Sequence, residues 1–225
     1  MSTVHFTTAT TAKRTAHGMV HQGTLKDSDR VTIDDILLTS RSRSICDTAR
    51  IGTVEQAVCA LDSGLHLGVP RHEIDEQVER LRRHNGAPIL RAAMPLVDGR
   101  AESVGETVSR LALAQDPQIP PPDLQVEIWV DLNGRKRVRS DYGWRDKSGK
   151  LCVVGEFDGR VKYHRSNPFS DELPEEVIYQ EKLREDAIRD TGPRVVRWTW
   201  SEARRRPRTL HARVLSALRA EGVIP

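Results

Sequence analysis

Apolar and polar residues follow two patterns along this chain, one typical of strands and one typical of helices, and the change between them predicts the order of its elements. Over residues 1–40, β-prone stretches are broken by Gly and Asp, which predicts short strands and turns. From Ser40 onward apolar residues recur at helical spacing, which predicts a series of helices. In that series Thr53 is a candidate N-cap, and Gly64 and Gly68 are candidate stops.

The second half of the chain returns to strand-like patterning after one more helix. Apolar side chains recur at helical spacing in AESVGETVSRLALAQ, where Val104, Val108 and Leu111 share one side. Three strand-like runs follow, LQVEIWVDL, RKRVRSDYGW and KLCVVGEF, with a hairpin turn at Asn133-Gly134. A helix, the strand RVVRWTW and a terminal helix over residues 202–221 complete the order. This order predicts a mixed α/β (α+β) fold.

The residue pattern of the chain changes near Asp98-Gly99, which predicts two domains. Residues 1–98 are expected to form a small β-then-helical domain, and residues 99–225 a mixed sheet flanked by helices. The chain is 37% hydrophobic and 30% charged, which is enough for a core beneath a heavily charged surface. Its net charge of +3 is too small to indicate nucleic acid by itself.

Composition also excludes several classes of protein. A mean hydropathy of −0.53, with no apolar run of about 18 residues, excludes a membrane span. The first ten residues lack the charged start and apolar block of a signal peptide. The three Cys residues are odd in number and lack CxxC spacing, which predicts reduced, buried thiols in the cytoplasm rather than disulfides or a zinc ribbon.

Carboxylates stand at the ends of the second and third strand-like runs of the second half. Asp141 and Glu156 are brought together by the tight turn between these strands, and Asp158 follows on the side of Glu156. Converging carboxylates repel one another unless a cation is bound, and hard oxygen ligands select Mg²⁺ or Mn²⁺. Such an ion supports phosphodiester hydrolysis, and Lys162 follows closely enough to assist the water. The alternative is that these acids merely end strands in solvent.

The sequence around these acids, DYGW…VVGEFDGRVKYHR and then EKLREDAIRDTGPRVVRWTW, carries a resemblance. Over about residues 100–205 it resembles the PD-(D/E)xK restriction-endonuclease-like superfamily, most closely the very-short-patch-repair-like endonuclease branch. The resemblance implies a restriction-endonuclease-like mixed sheet and a DNA endonuclease or nickase, whose acids come from a helix and two strands. Glu106 matches the helix Glu, and Asp141 and Glu156 match the strand acids.

Two departures from that pattern leave alternatives open. Asp158 stands where the superfamily has Lys, so either Lys162 or Lys182 takes that role or cleavage has been lost. Glu106 lies opposite the apolar stripe of its helix, where it is either a metal ligand or half of a surface pair with Arg110.

Basic residues flank the predicted acidic site. Arg137 and Arg139 alternate on one face of the strand that leads to Asp141, an arrangement that suits a phosphate backbone. The residues assigned to DNA contact are Arg135, Lys136, Arg137, Arg139, Arg160, Arg165 and Lys182. Ordinary solvated charge is the alternative, because 32 acidic residues nearly balance the bases. Trp144, at a loop edge, either packs in the core or touches a base.

The first half carries a second resemblance, on short motifs within residues 31–68. They are Thr39-Ser40, Arg43-Ser44 and Asp47-Thr48-Ala49-Arg50. These motifs resemble the AbiEi-like antitoxin family, whose members usually begin with a DNA-binding winged helix. There is no room for one ahead of Val4, so the chain is expected to be a short form. In this segment Arg41 and Arg43 contact phosphate, or Arg43 pairs locally with Asp47.

We therefore expect a cytoplasmic, metal-dependent DNA endonuclease or nickase that uses Mg²⁺ or Mn²⁺. No organic cofactor and no membrane partner are expected. A homodimer is compatible with cutting both strands, although the sequence shows no dimer seam. The alternative is a non-catalytic regulator of the antitoxin type that keeps the nuclease fold to bind DNA or protein.

Overall fold

A computed structural model describes residues 4–16, 18–132, 134–159 and 174–225, and gives the side chains of its sixth helix from Lys182 onward. In these residues two small sheets and four helices precede a four-stranded mixed sheet flanked by helices. The α+β class predicted from the sequence is confirmed. Within the described residues, no helix has both the length and the apolar character needed to cross a bilayer.

The first forty residues form short strands, as their alternating pattern predicts. The strands are β1 (Val4–Thr8), β2 (Lys13–Thr15), β3 (Gly18–Gln22), β4 (Arg30–Ile33) and β5 (Ile36–Thr39). The first three form one sheet in the order β1-β3-β2, and β4 and β5 form a separate hairpin. Asp34 and Asp35 turn that hairpin with φ of +50° and +62°, the left-handed region that short polar side chains tolerate.

Four helices follow, and the first two begin at capping side chains. They are α1 (Arg41–Ala49), α2 (Val54–His66), α3 (Arg71–Arg80) and α4 (Ala87–Ala93). Thr53 caps α2 as predicted, because its side chain accepts the amide of Gln56. The prediction that Gly64 ends α2 was wrong. Gly64 lies inside the helix, where an added Cβ would stand 2.4 Å from Ile45 Cδ1, so α1 and α2 approach closely there.

The second half alternates as predicted between helices and one sheet. Its elements are α5 (Val104–Leu113), β6 (Asp123–Asp131), β7 (Arg135–Arg145), β8 (Leu151–Asp158), α6 (Pro174–Asp190), β9 (Arg194–Thr199) and α7 (Pro207–Ala220). The strand order is β6-β7-β8-β9, antiparallel except for the parallel pair β8 and β9, which α6 connects. The terminal helix α7 begins later than predicted, because a single wide turn at residues 201–205 precedes Pro207.

Each face of this sheet packs against different helices. The face towards α5 and α7 carries Tyr142, Trp144 and Trp198, all at most 2% exposed. The other face carries Val126, Ile128, Val130 and Val154, which pack with Ala187 and Ile188 of α6. Trp144 is therefore a core residue, and its indole N–H donates to the Pro120 carbonyl. Of the two alternatives considered for Trp144, packing in the core is confirmed and contact with a base is not.

A buried carboxylate joins the two halves of the chain. Asp62 of α2 accepts the Asp98 amide at 2.8 Å, the Thr107 hydroxyl at 2.9 Å and the Arg110 guanidinium at 2.8 Å. The predicted boundary at residues 98 and 99 stays a prediction, and the segments on its two sides pack together. The three thiols are buried and free, as predicted. Arg43 is also buried and pairs with Asp47 at 2.7 Å, the local pairing considered for this segment.

Candidate functional site

The hairpin of β7 and β8 brings Asp141 beside Glu156, as the sequence predicts, but an irregularity separates their side chains. Tyr142 pairs with Gly155, so the two acids are neighbours across the strands. On the other side, Leu124 pairs with Tyr142 and Val126 with Ser140, although Leu124 and Val126 pack on opposite faces. Gln125 between them has φ +55°. The regular alternation of β6 and β7 is therefore reset at Asp141.

Asp141 is a partly buried carboxyl whose charge is poorly compensated. Its Oδ2 accepts the Phe157 amide at 2.7 Å. The net effect of its surroundings raises the pKa of Asp141 to about 7, chiefly through burial and then through the negative charges of Glu106 and Glu156. The Phe157 hydrogen bond and the charge of Arg184 act in the opposite direction. Close to neutral pH this carboxyl is therefore partly protonated, which is unusual for Asp.

Glu106 lies with Asp141 on the α5 side of the sheet. It is 9% exposed and holds the start of α5, where its carboxylate accepts the Ser103 hydroxyl at 2.7 Å and the Glu102 amide at 2.9 Å. The Gln125 amide donates to it at 2.7 Å. The alternative of a surface pair with Arg110 was wrong, because Glu106 faces the sheet while Arg110 turns to the buried Asp62.

Glu156 is held by two arginines that the sequence did not single out. It is 6% exposed, Arg184 of α6 contacts one of its oxygens at 2.7 Å, and Arg197 of β9 contacts the other at 2.8 Å. Arg184 also donates to the Arg139 carbonyl at 3.0 Å, and Arg197 pairs with Glu185 at 2.9 Å. Both oxygens of Glu156 are therefore occupied by guanidinium groups on the α6 side of the sheet.

The cleft between Glu106 and Asp141 is narrow for a divalent ion with its water ligands. Ala101, Arg110, Leu124 and Tyr142 complete its lining, and it is too narrow to admit a water molecule. Within the described residues, no three His, Cys, Asp or Glu side chains are arranged to hold a metal. Mg²⁺ is commonly held by only one or two carboxylates, with water and substrate phosphate as the other ligands. The cleft as it stands leaves no room for those waters, and both oxygens of Glu106 accept hydrogen bonds, so an ion at Glu106 and Asp141 requires the cleft to open. Glu156 is less suited, because arginines hold both of its oxygens.

The remaining predicted catalytic residues lie outside this cleft or outside the described residues. Asp158 is the last residue of β8, two positions beyond Glu156, and the acids whose charges act on Asp141 are Glu106 and Glu156. Glu106, rather than Asp158, is therefore the acid that joins Asp141. Lys182 is exposed on α6. Lys162, Arg160 and Arg165 lie outside the described residues.

Three of the arginines assigned to DNA share one face of the β6–β7 hairpin. Because Val126, Ile128 and Val130 face α6, the alternation of β6 turns Glu127, Trp129 and Asp131 to the opposite side. Their partners across the hairpin are Arg139, Arg137 and Arg135. Lys136 pairs with Val130 and is on the other face, so it does not join them. This arginine-bearing face continues along the hairpin to Gln125 and the cleft.

An exposed tryptophan stands within these arginines. Trp129 is 54% exposed, and the guanidinium carbons of Arg135 and Arg137 lie 4.6 Å and 6.0 Å from its ring centroid. These distances place the guanidinium groups within cation–π range. Trp129 was not predicted as a contact residue and Trp144 was the candidate, although LQVEIWVDL places Trp129 at an outward position between two inward-facing apolar residues. The strand alternation alone would have identified it.

Comparisons with known proteins place the chain beside relatives whose names state no activity. No protein-family profile matches the chain, and no solved structure matches it significantly. It is 28% identical over 197 residues to proteins of two Mycobacterium tuberculosis strains, "Uncharacterized protein MT2308" (CDC 1551 / Oshkosh) and "Uncharacterized protein Rv2248" (ATCC 25618 / H37Rv). The match covers 87% of this chain and 66% of each relative, so the chain spans about two thirds of their length. The two family resemblances stay predictions.

Proposed function

We propose that this chain is a metal-dependent DNA endonuclease or nickase whose site is the cleft between Asp141 and Glu106. The observation that carries the proposal is the Asp141 carboxyl, partly buried beside Glu106 and Glu156 with its pKa raised to about 7. Converging carboxylates of this kind attract a divalent cation, because the cation removes their mutual repulsion. Perturbed carboxyls in clefts are also typical of catalytic sites.

The roles of the residues follow from their positions. Asp141 and Glu106 would hold Mg²⁺ or Mn²⁺, which when bound stabilises charge on a phosphate and acidifies a water. Asp141 must lose its proton to serve as a ligand, so cation affinity is expected to rise with pH up to and beyond about 7. Glu106 must give up its hydrogen bond to Gln125, since the cleft is closed to water. Arg135, Arg137 and Arg139 would hold the phosphate backbone on the adjoining face.

The order of the elements supports the same proposal. Helix α5 supplies Glu106, β7 supplies Asp141 and β8 supplies Glu156, in the sequence that the resemblance to the PD-(D/E)xK superfamily implies. The parallel pair β8 and β9, joined by α6, follows these strands. In this arrangement the three acids come from neighbouring elements rather than from one loop.

A second candidate is the non-catalytic regulator that binds DNA or protein. It is favoured by one observation, the two arginines on Glu156, which make this carboxylate part of a structural ion-pair network with Arg184 and Arg197. Removing one partner from such a buried pair is costly, so the network resists rearrangement. A regulator would keep the arginine-bearing face and would not need the cleft to open.

Plasmid nicking separates the two candidates. Purified protein is incubated with supercoiled DNA in Mg²⁺, Mn²⁺ or EDTA, and Asp141→Asn and Glu106→Gln are compared with Glu79→Gln, which changes an exposed carboxylate on α3. We expect ion-dependent nicking that falls at least about a hundredfold in the two cleft variants and is retained in the control, because a lost ligand removes several kcal/mol of transition-state stabilisation. DNA binding without nicking under any ion would favour the regulator.

A further inference from the structure

Trp129 occupies an unusual position for a large apolar side chain. It is 54% exposed on the edge strand of the main sheet, whereas Trp144 and Trp198 are at most 2% exposed and Trp200 is half-buried. The groups over its ring are guanidiniums rather than apolar side chains. Its indole is therefore presented to solvent within a charged surface, an arrangement typical of binding sites and not of cores.

Among the residues that the structure describes, one guanidinium beside Trp129 has no carboxylate partner. Arg137 pairs with Glu127 at 3.0 Å, and Arg139 pairs with Glu102 at 2.6 Å. Arg135 forms no ion pair with any acid in the described part of the chain, and its guanidinium lies against the Trp129 ring. Asp131, opposite Arg135 across the hairpin, accepts the Gly134 amide instead. The guanidinium of this face that forms no ion pair among the described residues therefore lies next to the exposed aromatic ring.

The position of Trp129 along β6 relates it to the cleft. Gln125, which donates to Glu106, is four residues before Trp129 on the same strand, a distance of about 13 Å at the usual rise of a strand. Arg137 and Arg139 lie across the hairpin between these two points. A strand of nucleic acid seated at Trp129 would therefore run its phosphates past these arginines towards Asp141.

We propose that Trp129 is a stacking platform for an unpaired base of single-stranded nucleic acid, with Arg135 binding a neighbouring phosphate. An exposed indole offers a flat ring face, and the matching face of a base is accessible only where the base is not enclosed in a duplex. The guanidinium groups add the positive charge that phosphate requires. Only the idea that the bound strand continues to the cleft rests on the proposed function. Binding of a base at Trp129 does not require that the protein cleaves nucleic acid.

Tryptophan fluorescence in EDTA tests this platform in the full chain. Short oligothymidylate, oligouridylate and a duplex of equal length are titrated into the wild type and into Trp129→Ala, Trp129→Phe and Arg135→Gln. The control is Leu67→Ala, which removes another exposed apolar side chain from the helical segment. Single strands should quench the wild-type fluorescence. Their affinity, followed on labelled oligonucleotides, should fall about tenfold or more in Trp129→Ala and be largely retained in Trp129→Phe and Leu67→Ala.

Further outcomes separate the alternatives. Arg135→Gln should lower the slope of binding against salt by about one ion. A preference for the thymidylate or the uridylate strand identifies the nucleic acid, and either result supports the platform. Equal affinity of Trp129→Ala and wild type for single strands would overturn the proposal, as would equal losses on duplex and single strand. Absence of quenching by either strand at low salt would also overturn it and favour a protein partner. Because EDTA prevents cleavage, failure of nicking leaves this result unaffected.

Discussion

Replacing Asp141 by Asn removes a partly buried carboxyl whose ionisation opposes folding near neutral pH. The pKa of this group is raised from 3.8 to about 7, chiefly by burial and then by Glu106 and Glu156. A carboxyl that holds its proton more tightly when folded stabilises the protein below pH 4. That stabilisation is lost as the pH rises from about 4 to about 7. The Asn variant has no such proton, and its side-chain oxygen still accepts the Phe157 amide.

The magnitude follows from the size of the shift. Just over three pH units, at about 1.4 kcal/mol for each, give an upper limit of about 4 kcal/mol. Solvent relaxation around a partly exposed carboxyl lowers this, so we expect Asp141→Asn to gain about 2 kcal/mol on the wild type between pH 4.5 and pH 8.

Urea unfolding followed by circular dichroism measures this difference, with EDTA present to remove metal ions. Asp98→Asn is the matched control of opposite sign, because the hydrogen bond from Arg100 lowers the pKa of Asp98. That variant should lose stability relative to the wild type as the pH rises through the normal range of Asp. A difference between Asp141→Asn and the wild type that stays constant from pH 4.5 to pH 8 would refute the reasoning.

Three further predictions concern the ion pairs of Glu156, the lysine that assists cleavage and the packing of α1 against α2. Glu156→Gln should destabilise the protein by about 3 kcal/mol in urea, because it leaves Arg184 and Arg197 without their shared carboxylate, and an unchanged midpoint would contradict the ion-pair network. Lys162→Ala should reduce the nicking rate more than Lys182→Ala, since Lys162 follows the acidic strand closely in sequence. The reverse order of rates would assign the assistance of the water to Lys182 on α6. Gly64→Ala should lower the free energy of unfolding by about 1–3 kcal/mol, because the added methyl group would collide with Ile45. A melting temperature equal to that of the wild type would contradict this prediction.

The sequence predicted the elements well where local pattern decides them. The alternation in LQVEIWVDL gave β6, and the hairpin turn placed Asp141 beside Glu156. Thr53 identified the start of α2 because a cap depends only on its own turn. In each case the information lies within a few residues of the feature that it specifies.

The parts of the site that were missed depend on tertiary structure. Arg184 and Arg197 stand 28 and 41 residues from Glu156, so no local spacing indicates that they meet it. The left-handed φ of Gln125 resets the strand alternation that would otherwise put Asp141 and Glu156 on one face, and residues of this type rarely adopt it. Glu106 was interpreted from its helix alone, whereas its burial depends on Gln125 and the sheet.

Direct measurement of Mn²⁺ binding tests the central claim, that Asp141 and Glu106 form a proton-coupled cation site. The ion is titrated calorimetrically into the wild type and into Asp141→Asn at pH 6 and pH 8.5, in buffers of different ionisation enthalpy, so that released protons are counted. The account predicts binding with about one proton released per ion at pH 6, almost none at pH 8.5, and no binding to Asp141→Asn. Equal binding by the variant, or no binding by the wild type at either pH, would contradict it.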